Sequence, residues 1–290
     1  MIAFALGFLS PGDPAVEALG QGPYDTPDPR AVAALRREWG LDQPVPVQYV
    51  KWLQRCLQGD LGTSYFSRHP VSEELFRRLP ATLLLAFSAT ALATVIGIST
   101  GLISALWAKG WVDGIFRLSS VIFASLPGFL IGILLITVFA EHFRLLPTSG
   151  YGRLAHLILP ALALSIGESA RILRLTRTQL LVVLSQEYIR TARGKGLSSS
   201  TIAIRHALPN AMLNVLTALG LHLGEILGGV AVIETIFAWP GIGRLAVESI
   251  NRRDYPMVQG FVLLSGGLFI GVNLLVDLLY RALDPRVELS

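Results

Sequence analysis

The 290 residues are 52% hydrophobic and only 15% charged, with a formal net charge of +4. A soluble domain carries about a quarter charged residues, so the deficit excludes an ordinary water-soluble fold. The modest charge, placed where membrane topology wants it, argues against a nucleic-acid partner, and Cys56, the single cysteine, rules out an internal disulfide or a cysteine metal cluster.

In chain order, residues 1–9 are apolar but only about 14 Å long as a helix. That is too short to span a bilayer, and no basic start marks a signal peptide. Either residue 1 begins outside the membrane or these residues are the remnant of a first span that starts upstream; the expectation is the remnant. Residues 10–78 differ in kind. Between Ser10 and Leu79 lie nine acidic and eight basic residues, which predicts a water-facing, extracytoplasmic segment with short helices. Asp28-Pro29-Arg30 opens a capped helix over 31–39, and 45–58 reads as another.

Five spans follow, at about 79–108, 115–140, 156–175, 209–236 and 257–280. They rest on long uncharged runs: 30 residues between Arg78 and Lys109, 23 between Arg117 and Glu141, and 22 between Asp254 and Asp277. Crossing about 30 Å of hydrocarbon takes roughly 20 apolar residues, and a soluble helix must show one face to water. The sequence therefore predicts an all-α polytopic membrane protein, with a membrane domain over 79–281 and a tail over 282–290.

Orientation follows from Lys and Arg in the short loops. Alternation puts Lys109, Arg117, Arg171, Arg174, Arg177, Arg190, Arg193, Lys195, Arg205, Arg281 and Arg286 on one side, eleven in all, against five on the other. The richer side is cytoplasmic, together with the C-terminus. Gly97/Gly101, Gly128/Gly132, Gly220/Gly224/Gly228 and Gly267/Gly271 have the small-xxx-small spacing that lets membrane helices approach closely. Ionisable groups at membrane depth are Glu168, with Arg171 three residues on, His222 and Glu225 on one helix face, and Asp277. Such groups either pair within the bundle or line a pathway. His222, with no neighbouring ligand type, makes a poor metal site.

The longest cytoplasmic loop, 185–209, reads SQEYIRTARGKGLSSSTIAIRHALP. Two helical halves are broken by Gly194 and Gly196, and serines 198–200 offer N-caps to the second. A short helix lying across a bundle is a solid knob for a partner to push; an ordinary basic loop near anionic lipid has the same composition. No GxxxxGK[ST] phosphate loop, HExxH or CxxC occurs, so no catalytic residue and no ATPase site are assigned.

The loop resembles the EAA coupling motif of ABC importer permeases, in the form used by the oligopeptide, dipeptide and nickel group. Gly196, twelve residues and Pro209 fit its spacing, with Ala192 at its second alanine and Leu208-Pro209 at its close. Arg190, Thr191 and His206 depart from the general pattern, while Tyr188 to Leu197 is similar to the peptide group's own run. Further similarities are Ser10-Pro11-Gly12-Asp13-Pro14-Ala15, Gly40-Leu41-Asp42-Gln43-Pro44, Gly59-Asp60-Leu61-Gly62, Arg78-Leu79-Pro80-Ala81-Thr82, the run Phe237 to Arg244, Asn251 to Pro256, and Leu283-Asp284-Pro285-Arg286.

The resemblance implies a type I ABC importer transmembrane fold, five full spans plus a truncated first span, in the first (B-type) permease subunit of a bacterial inner-membrane system. It implies a second, C-type permease subunit, two cytoplasmic ATPases that carry ATP and Mg, and an extracytoplasmic substrate-binding protein. No cofactor is expected on this chain. The coupling residues would be Tyr188, Arg190, Ala192, Arg193, Lys195, Gly196, Leu197, Leu208 and Pro209, and the cargo peptides, with nickel or a metal chelate as the alternative. A self-powered channel or secondary transporter is the competing class, but no internal repeat suggests one.

Overall fold

The computed structural model describes residues 4, 12–20, 27–212, 215 and 230–283, and from 276 onward only the side chain of Leu278. In chain order the helices are α1 (Pro14–Leu19), α2 (Pro29–Glu38), α3 (Val45–Leu57), α4 (Val71–Leu106), α5 (Trp111–Ser125), α6 (Gly128–Leu135, continuing as a π-helix over Ile136–His142), α7 (Leu154–Leu184), α8 (Glu187–Gly194), α9 (Ser199–Thr201, continuing as a π-helix over Ile202–Ala207), α10 (Ile242–Asn251) and α11 (Tyr255–Leu283). The chain divides into two units: residues 1–82 with 240–268, and residues 83–239 with 269–290.

Helices α4, α7 and α11 are long and apolar enough to cross a membrane. The span expected as one piece at 115–140 is instead two helices, α5 and α6, bent by 104°. Pro127 explains the corner. Its ring clashes with a helical residue before it, and Leu126 is extended (φ −82, ψ 129). Helix α4 starts at Val71, so the expected boundary at 78 falls inside a helix. Glu73 and Glu74 in its first turn suit the positive end of the helix dipole. The span expected at 209–236 lies largely outside the described residues.

In the first unit, the predicted cap at Asp28 forms, and Asp13 supplies a second that the sequence did not single out. The Asp28 carboxylate accepts from the Arg30 amide at 2.9 Å and Asp13 from the Ala15 amide at 2.8 Å, each followed by a proline at the first helical position. Arg36 pairs with Asp13 and so ties α2 to α1, over a small core of Ala15, Val32 and Leu35. A second core joins Val71 and Leu75 of α4 to Ile242 and Leu245 of α10 and Met257 of α11. Gly260 makes this approach possible, since a Cβ there would meet Val71 Cγ1 at 2.4 Å.

Asp254 sits just ahead of α11 and is buried. It accepts from the Ser64 hydroxyl at 2.5 Å and from the Tyr65 amide at 3.1 Å, and it caps α11 through the Met257 amide. Burial pushes its carboxyl above the usual carboxylate range, against the pull of those donors.

The second unit packs α5 and α6 along α7, and α4 joins α7 through glycines. A Cβ on Gly97 would lie 2.6 Å from Ile172 Cβ and 2.9 Å from the Ser169 carbonyl, and one on Gly101 would lie 2.9 Å from the Leu173 carbonyl. Here the small-xxx-small spacing marks a real backbone contact. At Gly267 and Gly271 it does not, because a Cβ on either would meet open space. The Thr90, Thr94 and Thr100 hydroxyls donate to carbonyls four residues back, so α4 shows lipid no unsatisfied hydroxyl at these positions. Phe87, Val95, Ile115, Leu118 and Ile270 are exposed apolar side chains, as a hydrocarbon solvent requires.

Two outcomes follow. Gly97→Val forces α4 from α7 and destabilises the fold by about 1–3 kcal/mol or more, read as lower membrane accumulation and a lower melting temperature in detergent; an unchanged melt overturns the contact. A carboxyl raised in the folded state contributes stability below its unfolded pKa and loses it as pH rises through the folded value. Thermal melts of wild type and Asp254→Asn from about pH 4 to 7 therefore show wild type losing ground as pH rises. A pH-independent difference contradicts the buried charge.

Candidate coupling loop and its anchor

Helix α7 ends at Leu184, and after a two-residue turn α8 starts at Glu187. The chain then reverses within four residues, and hydrogen bonds show how. Gly196 has φ +79, its amide donates to Arg193 O at 2.9 Å, and the Leu197 amide reaches Ala192 O at 3.4 Å. This is the Schellman ending of a helix, whose left-handed residue is most comfortable as glycine. Ser198 then starts α9, its hydroxyl accepting from the Thr201 amide at 3.2 Å. Gly194, expected to break the loop, is instead the last residue of α8. The break is Lys195–Ser198, because the left-handed turn sits at Gly196 and the cap at Ser198.

The two arms share a core of Ile189, Ala192 and Ile202, with Leu184 against it, and the Asn210 amide donates to the Tyr188 hydroxyl at 3.2 Å. Of the nominated coupling residues, Tyr188, Arg190, Arg193, Lys195, Gly196, Leu197 and Pro209 are exposed. Ala192 and Leu208 turn inward: Ala192 is part of the loop's own core, and Leu208 packs on the cluster of Ala105, Leu180, Ala207 and Ala211. Ala192 is buried and Leu208 half-buried, so both help seat the loop. Arg190 pairs with Glu187 on its own helix at 2.9 Å. The π-helical stretch Ile202–Ala207 packs on both α7 and α8.

Two turns before the loop stands a site that no motif announced. The Asp113 carboxylate, buried on α5, accepts from Arg177 Nε at 2.6 Å and Nη2 at 2.8 Å, from Ser104 Oγ at 2.6 Å, and from the Lys109 amide at 3.1 Å. Lys109 takes a left-handed φ of 67 to point that amide inward. One carboxylate thus gathers α4, the α4–α5 turn, α5 and α7. Arg174 adds a bond to the Ser120 carbonyl at 3.4 Å.

Of the expected pathway groups, Glu168 lies 3.6 Å from Arg171 Nη1. His222 and Glu225 lie outside the described residues, as does the side chain of Asp277. Glu234, which the sequence did not single out, is fully buried. Among the described residues no group of three His, Cys, Asp or Glu is placed to hold a metal ion.

The profile of the binding-protein-dependent transport system inner membrane component family matches residues 97–289, and that of its N-terminal region matches 1–86. The chain belongs to this family. It is therefore an ABC importer permease, a multi-pass bacterial inner-membrane subunit with no ATPase site of its own. Permeases of this family work with ATPase subunits and a binding protein. Membership sets aside the self-powered channel. The permease is 41% identical to the glutathione transport system permease protein GsiC of Pectobacterium atrosepticum over 99% of this chain and 93% of that protein. With GsiC of Escherichia coli the identity is 40% over the same shares. In structure it is similar to the inward-facing MetNI methionine ABC transporter, with TM-score 0.60 and 21% identity over 73% of this chain and 96% of that one. An amino acid ABC transporter follows at TM-score 0.54 and 21% identity, covering 73% and 94%. These two likenesses are of fold alone, and the helical permease fold expected from the sequence is the one observed.

Removing one partner of a buried ion pair leaves the other stranded. Asp113→Ala in the solubilised permease is expected to lower stability by about 3 kcal/mol or more, and Asp113→Leu with Arg177→Met to recover much of that loss. Melting curves of the single and double variants check this. Equal losses in both would show the pair to be incidental.

Proposed function

We propose that this permease forms half of a translocation pathway for peptide-like substrates of the size and chemistry of glutathione, driven through the 185–209 loop. In this reading a C-type sister subunit completes the pathway, two ATPases bind ATP and Mg on the cytoplasmic side, and an extracytoplasmic binding protein delivers cargo. The loop and the C-terminus face the cytoplasm. The substrate class is supported by the names of relatives about 40% identical over nearly the whole chain.

The observation that carries the coupling role is the knob itself. Its two arms are welded by Ile189, Ala192 and Ile202, and its tip, Arg193 to Leu197, is exposed. A rigid knob with its own core transmits displacement to α7, whereas a floppy loop absorbs it. ATPase closure then drives a two-state rearrangement of the bundle. Arg193 and Lys195 meet acidic groups on the ATPase, but exposed pairs are worth under about 1 kcal/mol, so shape dominates.

Gly196→Asp tests the loop. It adds a side chain where φ is +79 and a charge at the tip. The complex is expected to assemble and insert, with uptake of labelled glutathione into proteoliposomes down at least tenfold, about 1.4 kcal/mol of lost coupling, and ATP hydrolysis no longer stimulated by loaded binding protein. Normal uptake by that variant defeats the assignment.

A further inference from the structure

The first unit holds a cavity of about 530 Å³, within the range of small-molecule sites. One wall is a single face of α3: Gln48, Lys51, Trp52 and Arg55, spaced i, i+3, i+4 and i+7. On that face Trp52 rests against the Phe4 ring at 5.6 Å and the Gln48 amide donates to the Gln43 carbonyl at 2.7 Å, while Lys51 and Arg55 are exposed and have no packing role. The facing wall is an aromatic platform. Trp39 and Tyr65 stack with centroids 3.9 Å apart and planes 5° from parallel. Arg68 lies over the Trp39 ring at 5.6 Å, and the Tyr65 amide is held by Asp254.

The charge in this cavity is unbalanced. Arg37, Lys51, Arg55 and Arg68 face two acids, Glu38 and Asp60. Glu38 is engaged by Arg68 at 3.0 Å, and Lys51 donates to the neutral Gln43 side chain at 2.8 Å. Lys51 and Arg55, one turn apart, are therefore cations in a cleft with too few anions. Beside them is the Trp39–Tyr65 stack, an aromatic surface suited to the body of a small molecule.

We propose that this cavity is a substrate subsite of the permease, in which Lys51 and Arg55 receive a carboxylate of a peptide-sized molecule and the Trp39–Tyr65 stack carries its body. The proposal rests on the peptide-like substrate reading and adds a place outside the spans where cargo pauses. Lys51 and Arg55 are binding residues here, exposed and free of core duty, so neutralising them leaves the fold intact.

The test is calorimetric titration of the permease complex in lipid nanodiscs, without binding protein, using reduced glutathione, its dimethyl ester and inorganic phosphate. Saturable binding of glutathione is expected. It should weaken at least tenfold in the Lys51→Gln, Arg55→Gln double variant, fall equally for the ester on the wild-type complex, and resist competition by phosphate. No saturation up to about 10 mM, an unaffected double variant, full binding of the ester, or displacement by equal phosphate each overturns the site. Uptake into proteoliposomes separates the two readings. Uptake without binding here overturns the site and leaves the substrate class standing; binding without uptake overturns the substrate class and reduces the cavity to a ligand site with no part in transport.

Discussion

A carboxylate buried inside a protein cannot remain unpaired, and the second unit is organised around one that is fully paired. Asp113 accepts both arms of the Arg177 guanidinium, the Ser104 hydroxyl and the Lys109 amide. A fork-to-fork pair fixes direction as well as distance, so α7 is held in rotation as well as position against α4 and α5. The glycine contacts at Gly97 and Gly101 then fix how close α4 may come. Each constrains a different freedom: the glycines set separation, the ion pair sets rotation.

This places a stiff element ahead of the loop. Arg177 lies two turns before Ser185, and the loop has its own core and a C-terminal cap on α8. Ala207 and Leu208 return the chain to the cluster around Leu180 on α7. On the proposed reading, a push at the tip reaches the bundle through packed side chains at both ends of the loop. The π-helical stretch at 202–207 is where the second arm is wound differently from its neighbours, a feature often found at functional sites.

What the sequence disclosed depended on how local the physics was. The helix caps at Asp28 and Ser198 and the turn at Gly196 are decided by neighbours within five residues, and the residue types announced them. The spans showed as uncharged runs because hydrocarbon excludes charge wherever the helix goes. The Asp113–Arg177 pair was hidden. Its partners are 64 residues apart, and in the sequence Arg177 merely counted toward a basic cytoplasmic side. The glycine spacings looked alike, yet Gly97 touches a neighbour and Gly267 does not, since spacing cannot say which face a helix turns inward. Ala192 and Leu208 are named by the motif's spacing, which does not say which of its side chains turn inward; the packing of these two does. The cavity beside α3 was unreadable because one of its walls comes from residues nearly 200 positions away, Tyr255 and Gln259.

The corner between α5 and α6 has a consequence of its own. Each arm is 15 residues long, Trp111–Ser125 and Gly128–His142, or about 22 Å, short of the roughly 30 Å of hydrocarbon. Whether the pair crosses or dips and returns, its corner lies at a depth where lipid can satisfy no free backbone group. Ser125, Pro127 and Gly128 are exposed among the described residues, so the cover comes from beyond these, as further polypeptide or as trapped water. The corner is an open seam in the bilayer-facing surface, and closing that seam is a condition of the subunit's residence in the membrane.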